Sequence, residues 1–176
     1  MKKYVCLFIG NAIVDIVANA SFEFLKEQNI DVGSWRPTKL DEISQLQNKM
    51  ENILVASGGS AANSAVGFSL LGGNSSFIGR VKTDQFGELY VKDLQDANVD
   101  FVSSAVSDGD ETGRCLVYVT PDAQRSMRTY LGAASNLSPD EINDSSVEES
   151  EFIYMEGYLW DEPIACLLYT SPSPRD

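Results

Sequence analysis

The chain of 176 residues contains no histidine. That absence removes Ser-His-Asp and Cys-His nucleophilic catalysis, histidine general bases and histidine-ligated zinc. Cysteine is scarce. Cys6, Cys115 and Cys166 are odd in number and lack C-x-x-C spacing, which suits buried thiols in a reducing compartment. Basic side chains are few, 13 against 26 acidic ones, for a net charge of −13. This balance argues against nucleic-acid phosphate or an anionic membrane as the main partner. No apolar run approaches the roughly 20 residues of a membrane span. The N-terminus imitates a secretory leader, with Met1-Lys2-Lys3, an apolar run and Ala18-Asn19-Ala20. Gly10, Asn11 and Asp15 interrupt the would-be apolar region, so it reads as a first strand followed by a loop. A cytoplasmic protein with one properly cored domain is the expectation.

What is present centres on Ser57 to Gly87. Ser57-Gly58-Gly59-Ser60-Ala61-Ala62-Asn63 opens a helical run to Leu71, followed by Gly72-Gly73, a short strand ending at Gly79, and Asp84 to Gly87. Two glycines opening a helix let the backbone approach a ligand, and the free N–H groups there bind polar or anionic groups. Ser60 is placed to cap that helix. Ala61, Ala65 and Ser69 give it one face with little bulk, and Asn63 sits in the first turn. Taken alone, the glycines fit equally a plain turn before a close-packed helix.

The longer spacing is more specific. Gly58-Gly59-x-x-x-Asn63, Gly72-Gly73, Phe77-Ile78-Gly79-Arg80 and Asp84-x-x-Gly87 together resemble the N-terminal signature of the ribokinase (PfkB) family of sugar and nucleoside kinases. The resemblance runs from about Tyr4 to Trp160. It implies an α/β fold, a ribokinase-like three-layer α/β/α sandwich, here incomplete, with a small β-sheet lid. Lid strands would come from about 11–20, 32–57 and 99–131. Asn11 and Asp15 follow the first strand, and in the family such residues bind substrate hydroxyls; their four-residue spacing is similar to the adenosine-kinase branch.

Taken in order, Tyr4–Ile9 reads as a strand buried on both faces of a parallel sheet. Asp15 lies among Ile13, Val14, Ile16 and Val17, where a carboxylate needs hydrogen-bond partners; a solvated loop position is the alternative. Leu40, Ile43, Leu46 and Met50 repeat at helical spacing, with cap residues within Thr38–Asp41, and Ile53–Ser57 is a strand. Asp84 or Thr83 caps a helix with an apolar stripe through Phe86, Tyr90 and Leu94. From Val99 the period becomes 2: Val99–Val106, Gly113–Val119 and Ser126–Leu131 read as strands, the last two joined by the turn Thr120-Pro121-Asp122-Ala123. Ser138-Pro139-Asp140-Glu141 is a capping box, and Phe152–Met155 is a further core strand with Glu156 at its end.

Arg125 resembles a strand-start arginine near the phosphates in adenosine-kinase relatives, with a plain surface arginine as the alternative. Glu156 is a candidate for binding or supporting hydroxyls. The candidate substrate site is therefore Asn11, Asp15, Gly58, Gly59 and Asn63, with Arg125 and Glu156 beside them. The resemblance implies ATP and Mg²⁺ as cofactors and a sugar or nucleoside as acceptor. In the family the catalytic base comes from a second signature, Asp-Thr-x-Gly-Ala-Gly-Asp. Asp110-Glu111-Thr112-Gly113-Arg114 echoes it but lacks the Gly-Ala-Gly-Asp end and is assigned to the lid. No base and no metal ligand are assigned, and the chain is expected to be inactive alone. Pairing of lids into a homodimer is a further arrangement the resemblance allows. A non-catalytic sugar- or nucleoside-binding relative remains the alternative. A dinucleotide-binding enzyme is disfavoured, since Gly10 has no following G-x-x-G and Gly58-Gly59 lacks an acidic ribose partner. After Asp161-Glu162-Pro163 a helix should continue, but Pro172 and Pro174 cannot sit inside one. Residues 1–165 are thus read as the kinase part and 166–176 as a foreign tail.

Overall fold

A computed structural model describes residues 2–142, 144–161 and 166. The first strand, β1 (Tyr4–Ile9), leads through Gly10–Ala12 into β2 (Ile13–Asn19), then α1 (Phe22–Glu27), β3 (Trp35–Pro37), α2 (Leu40–Gln47) and β4 (Leu54–Gly58). The Gly-rich segment opens α3 (Ser60–Leu70), followed by β5 (Ser75–Ile78), α4 (Gln85–Asp96) and β6 (Val99–Phe101). The chain continues through β7 (Gly113–Val119), β8 (Arg125–Tyr130), α5 (Asp144–Glu148) and β9 (Ser150–Met155). Short 3₁₀ turns cover Gly132–Asn136, Pro139–Glu141 and Gly157–Asp161.

These strands form two sheets among the described residues. One is four-stranded and wholly parallel, in the order β6-β5-β1-β9. Its inner strand β1 reads as a near-continuous apolar run because side chains pack on both of its faces, Phe8 on one and Leu7 and Ile9 on the other. The other is five-stranded and mixed, in the order β3-β8-β7-β2-β4. One face of this second sheet (Val14, Ile16, Leu116, Tyr118) joins Phe8 and Phe77 of the parallel sheet, Ala61 and Ala65 of α3, and Tyr90 and Leu94 of α4 in a single core. Leu7, Ile9, Ile78, Leu137 and Leu159 pack on the opposite face of the parallel sheet. The small-residue face of α3 is what lets that helix lie close to the core.

Four expectations need correction. The segment after β1 is a strand and not a loop: Val14, Ile16 and Ala18 are buried while Ile13, Asp15 and Val17 alternate onto the other face. Seven consecutive residues of mostly apolar type hide that alternation. Val99–Phe101 is not part of the second sheet; it pairs in parallel with β5, as a β-α-β crossover through α4 requires, and period 2 cannot tell one sheet from the other. Ser60 does not cap α3: the N-cap is Gly59, with φ +92°, and Ser60 is the first helical residue. No side chain caps α2 either, its N-cap being Lys39. Asp84 does cap α4, and the capping box at Ser138 forms around a single 3₁₀ turn. The helix expected from Pro163 and the tail lie outside the described residues, Cys166 excepted. Among the described residues strand β9 is an edge of its sheet, with Phe152 65% and Ile153 48% exposed. Met155 instead packs on the Leu7 cluster.

Asp84 also joins the two sheets. Its carboxylate accepts from the Gly87 N–H (2.8 Å), the Thr112 N–H (2.9 Å) and the Thr112 hydroxyl (2.8 Å), so the start of α4 is held to the root of β7. Gly87 has no room for a Cβ, which would overlap the Lys82 carbonyl oxygen. Burial pushes the Asp84 carboxyl up, but the hydrogen bonds from Thr112 and Gly87 outweigh it and hold its pKa below the ordinary value. A depressed carboxylate contributes stability above its unfolded pKa that fades as pH falls through the folded one. Asp84→Ala is expected to cost about 1–2 kcal/mol at neutral pH. In urea titrations the gap between wild type and variant should shrink below about pH 4; a gap independent of pH would refute the charged-cap account.

Candidate active site

Gly10 ends β1 and turns the chain so that Asn11 lies at the strand's C-terminal end, where open parallel sheets place ligands. Glu156 lies at the corresponding end of the neighbouring strand β9, and its N–H donates to the Ile9 carbonyl (3.1 Å). The Glu156 carboxylate is 3% exposed. It accepts from the Asn11 N–H (2.6 Å), the Ser60 hydroxyl (2.6 Å) and the Ala61 N–H (3.1 Å). It therefore does for α3 what the Gly59 N-cap, having no side chain, cannot do. A Cβ on Gly10 would lie 2.6 Å from the Glu156 carboxyl carbon.

Asp15 projects from β2 on the face opposite the core, beside its register partners Ala56 and Cys115. Directly below it is Gly58, where a Cβ would come within 2.5 Å of the Asp15 carboxylate. Gly59 is required for a separate reason, since a Cβ there would overlap the Asn11 carbonyl oxygen. The glycine pair thus accommodates two parts of the protein's own chain. Burial pushes the Asp15 carboxyl up, opposed by the charge of Arg125. The Cys115 thiol is pushed up to about 11, chiefly by burial. The Thr129 hydroxyl donates to its sulfur at 3.3 Å.

These elements enclose a cavity of about 570 Å³. Its polar part is Asn11, Asp15, Ser60, Glu156 and Asp161, and its apolar wall comes from Ile13, Trp35, Pro37, Met127, Leu131 and Tyr158. Asn11 is 3% exposed and its side-chain oxygen is buried with no hydrogen-bond partner among the described residues. Of the seven residues singled out from the sequence, Asn11, Asp15, Gly59 and Glu156 line this cavity. Gly58 lies beneath Asp15. Asn63 does not line it: Ala61, Ala62 and Ala65 take the buried side of α3 and turn Asn63 to solvent. Arg125, the exposed first residue of β8, does not line it either, although its charge reaches Asp15.

Sequence reasoning missed Trp35, Pro37, Cys115, Met127, Thr129 and Leu131. Their signal was there: Met127, Thr129 and Leu131 alternate along β8 and its continuation, as Trp35 and Pro37 do along β3. Among the described residues no three His, Cys, Asp or Glu side chains converge as a metal-ligand set. No helix among them is long and apolar enough to cross a membrane.

The description of the pfkB family of carbohydrate kinases matches residues 32–171. The chain belongs to that family. Among solved structures, the adenosine kinase of Sinorhizobium meliloti is 41% identical with a TM-score of 0.86, over 93% of this chain and 50% of that one. A probable sugar kinase of Rhizobium etli is 36% identical with a TM-score of 0.87, over 94% of this chain and 50% of that one. Among curated proteins, the probable fructokinase-2 of Arabidopsis thaliana is 31% identical over 66% of this chain and 36% of its own length. Fructokinase-1 of Zea mays is 33% identical over 51% of this chain and 28% of its own length. The chain therefore spans about half the length of the structures it matches, and about a third or less of these curated kinases. The fold is the ribokinase-like α/β fold, in part, that the motif spacing implied.

Two outcomes follow for this pfkB-family chain. Glu156→Ala strands three donors, two of them backbone N–H groups, and is expected to cost about 2–4 kcal/mol in chemical denaturation; a loss under about 0.5 kcal/mol would mean that water replaces the carboxylate freely. Gly58→Ala is expected to cost about 1–3 kcal/mol, and markedly less in an Asp15→Ala background where the obstructing carboxylate is gone. Additive costs in that double-mutant cycle would contradict the steric explanation.

Proposed function

We propose that this chain is the acceptor-binding part of an ATP-dependent kinase that phosphorylates a hydroxyl of a sugar or nucleoside, a nucleoside being the better fit. The observation carrying this reading is the cavity itself. The Asp15 carboxylate and the Asn11 side chain at one end suit adjacent hydroxyls, and a wall of Trp35, Met127, Leu131 and Tyr158 suits a flat apolar base. The relatives named as adenosine kinase and fructokinase support the two acceptor classes. In this reading Asp15 and Asn11 bind and orient the acceptor, Gly59 and Ser60 form its floor, and the second sheet acts as a lid that keeps water out. Arg125, exposed and acting on Asp15 through its charge, is the basic residue this reading assigns to approaching phosphates.

The reaction moves the γ-phosphoryl group of ATP to the acceptor oxygen. The bond from phosphorus to the bridging oxygen breaks, ADP leaves, and a base takes the hydroxyl proton. ATP supplies the phosphoryl group and Mg²⁺ offsets its charge; neither is given a ligand among the described residues, and no residue here is assigned as the base. Those parts would lie in the portion of a full-length kinase beyond this chain. In the same reading a second copy would pair through the lid sheet.

Ligand-observed NMR on the 176-residue chain tests the reading. Adenosine is expected to bind about tenfold or more tightly than fructose, Asp15→Ala should weaken it, and neither ligand should stimulate ATP consumption. Binding of neither would refute the acceptor site, and stimulated ATP consumption would refute the missing catalytic half.

A further inference from the structure

We infer that α4, which lines none of the cavity, sets the position of its glycine floor, with Tyr90 and Asp93 as positioning residues for acceptor binding. The inference rests on the acceptor-site reading above and adds residues that act on the site from behind. Three observations carry it. The first is a pair of hydrogen bonds from one helix to the end of β4. The Tyr90 hydroxyl donates to the Gly58 carbonyl (3.3 Å), and the Asp93 carboxylate accepts from the Ser57 N–H (2.8 Å). Three residues apart on α4, the two side chains share one face of the helix and hold consecutive residues of the chain.

The second observation is the phenol itself. Tyr90 is fully buried, its ring packed against Phe77 (6.0 Å between centroids) and Phe101 (6.2 Å), where a phenylalanine ring would pack as well. A hydroxyl in such a setting is unfavourable unless it is hydrogen-bonded, and the Gly58 carbonyl is the acceptor it reaches. Burial first, then the charges of Glu156 and Asp15, push the phenol pKa well up, so the group stays a neutral donor. The packed ring fixes where that donor points.

The third is what rests on the held segment. Gly58 lies against the Asp15 carboxylate and Gly59 against the Asn11 carbonyl, each too closely for a side chain. A shift of this segment therefore moves those groups or opens a gap beneath them. The same helix is tied at its start to Thr112 through Asp84, and Thr112 leads into β7, which carries Cys115 of the cavity. One helix thus holds β4 and β7, the two strands that flank β2 and its Asp15.

The experiment compares Tyr90→Phe, Asp93→Ala and Asp93→Asn with wild type in the 176-residue chain, under conditions where urea titrations show each to be folded. By ligand-observed NMR, adenosine is expected to bind about threefold or more weakly to Tyr90→Phe and Asp93→Ala. Asp93→Asn keeps an acceptor oxygen for Ser57 and should stay within about twofold of wild type. Titration of the Asp15 carboxyl, followed by its carbon resonance, supplies a readout that needs no ligand. Its pKa, raised by burial, should fall toward the ordinary carboxylate value in Tyr90→Phe, as water reaches the carboxylate when Gly58 relaxes. That variant removes no charge and leaves Arg125 and Cys115, which also act on Asp15, in place. Tyr90→Phe keeps the ring, and it carries the test should Asp93→Ala not fold. Adenosine affinity and Asp15 titration both unchanged in folded Tyr90→Phe overturn the inference, whatever the variant costs in stability. Equal weakening by Asp93→Ala and Asp93→Asn overturns the part given to Asp93. If wild type binds neither adenosine nor fructose, the acceptor site falls, and the Asp15 titration alone decides whether α4 positions the glycine floor.

Discussion

A buried carboxylate holds the centre of this structure. Glu156 projects from the end of β9 into a buried position, where an isolated negative charge would be prohibitively unfavourable. Three donors from two other segments offset that cost: the Asn11 N–H after β1 and the Ser60 and Ala61 groups at the start of α3. Because the charge is tolerated only with its donors in place, the ends of β1 and β9 and the beginning of α3 must meet. Gly10 follows from the same constraint, since any side chain there would occupy the carboxylate's position. The arrangement gives the glycine-opened helix a cap that its own N-cap residue cannot supply.

The second sheet hangs from this junction and from one other. On the far side, Asp84 ties the start of α4 to Thr112 at the root of β7. Between the two anchors, β2 and β4 cross the Gly58-Gly59 step so closely that one glycine clears the Asp15 carboxylate and the other the Asn11 carbonyl. Alternation along β2 and β7 then sends one set of side chains into the common core and the other toward the cavity. This is why a single cavity has a polar end at the strand termini and an apolar wall further along the sheet. Its chemistry is set by backbone geometry as much as by residue type.

Much of the fold was legible in the chain. The short apolar runs at Tyr4–Ile9 and Ser75–Ile78, the amphipathic stripe of α4 and the turn at Thr120–Ala123 announce themselves through periodicity and turn chemistry, which are local. The separated glycine, asparagine and aspartate positions were specific enough to point to the pfkB family. The second sheet was harder. Ile13–Asn19 is apolar on both faces apart from Asp15, so its strand character was masked, and Val99–Phe101 carried no mark of the sheet it joins. The exposed position of Asn63 was not legible either, because a motif records which residues recur together and not which way a helix is rotated about its axis.

The amino-acid sequence by itself determined the local elements, the family and the residue types available for chemistry: no histidine, abundant carboxylates, and glycines where the backbone crowds. Only the tertiary structure decided which of those residues share a cavity. Asn11, Asp15, Gly59 and Glu156 converge because strands far apart in the chain lie side by side, whereas Asn63 is turned outward by the burial of its alanine neighbours. It also decided that the N-terminal end of α3 is filled by the protein's own carboxylate. Glu156 and Ser60 are 96 residues apart, and a contact of that separation leaves no trace in local pattern. Periodicity reports the few residues around a position, while the electrostatics of a site depend on whichever segments the core brings together.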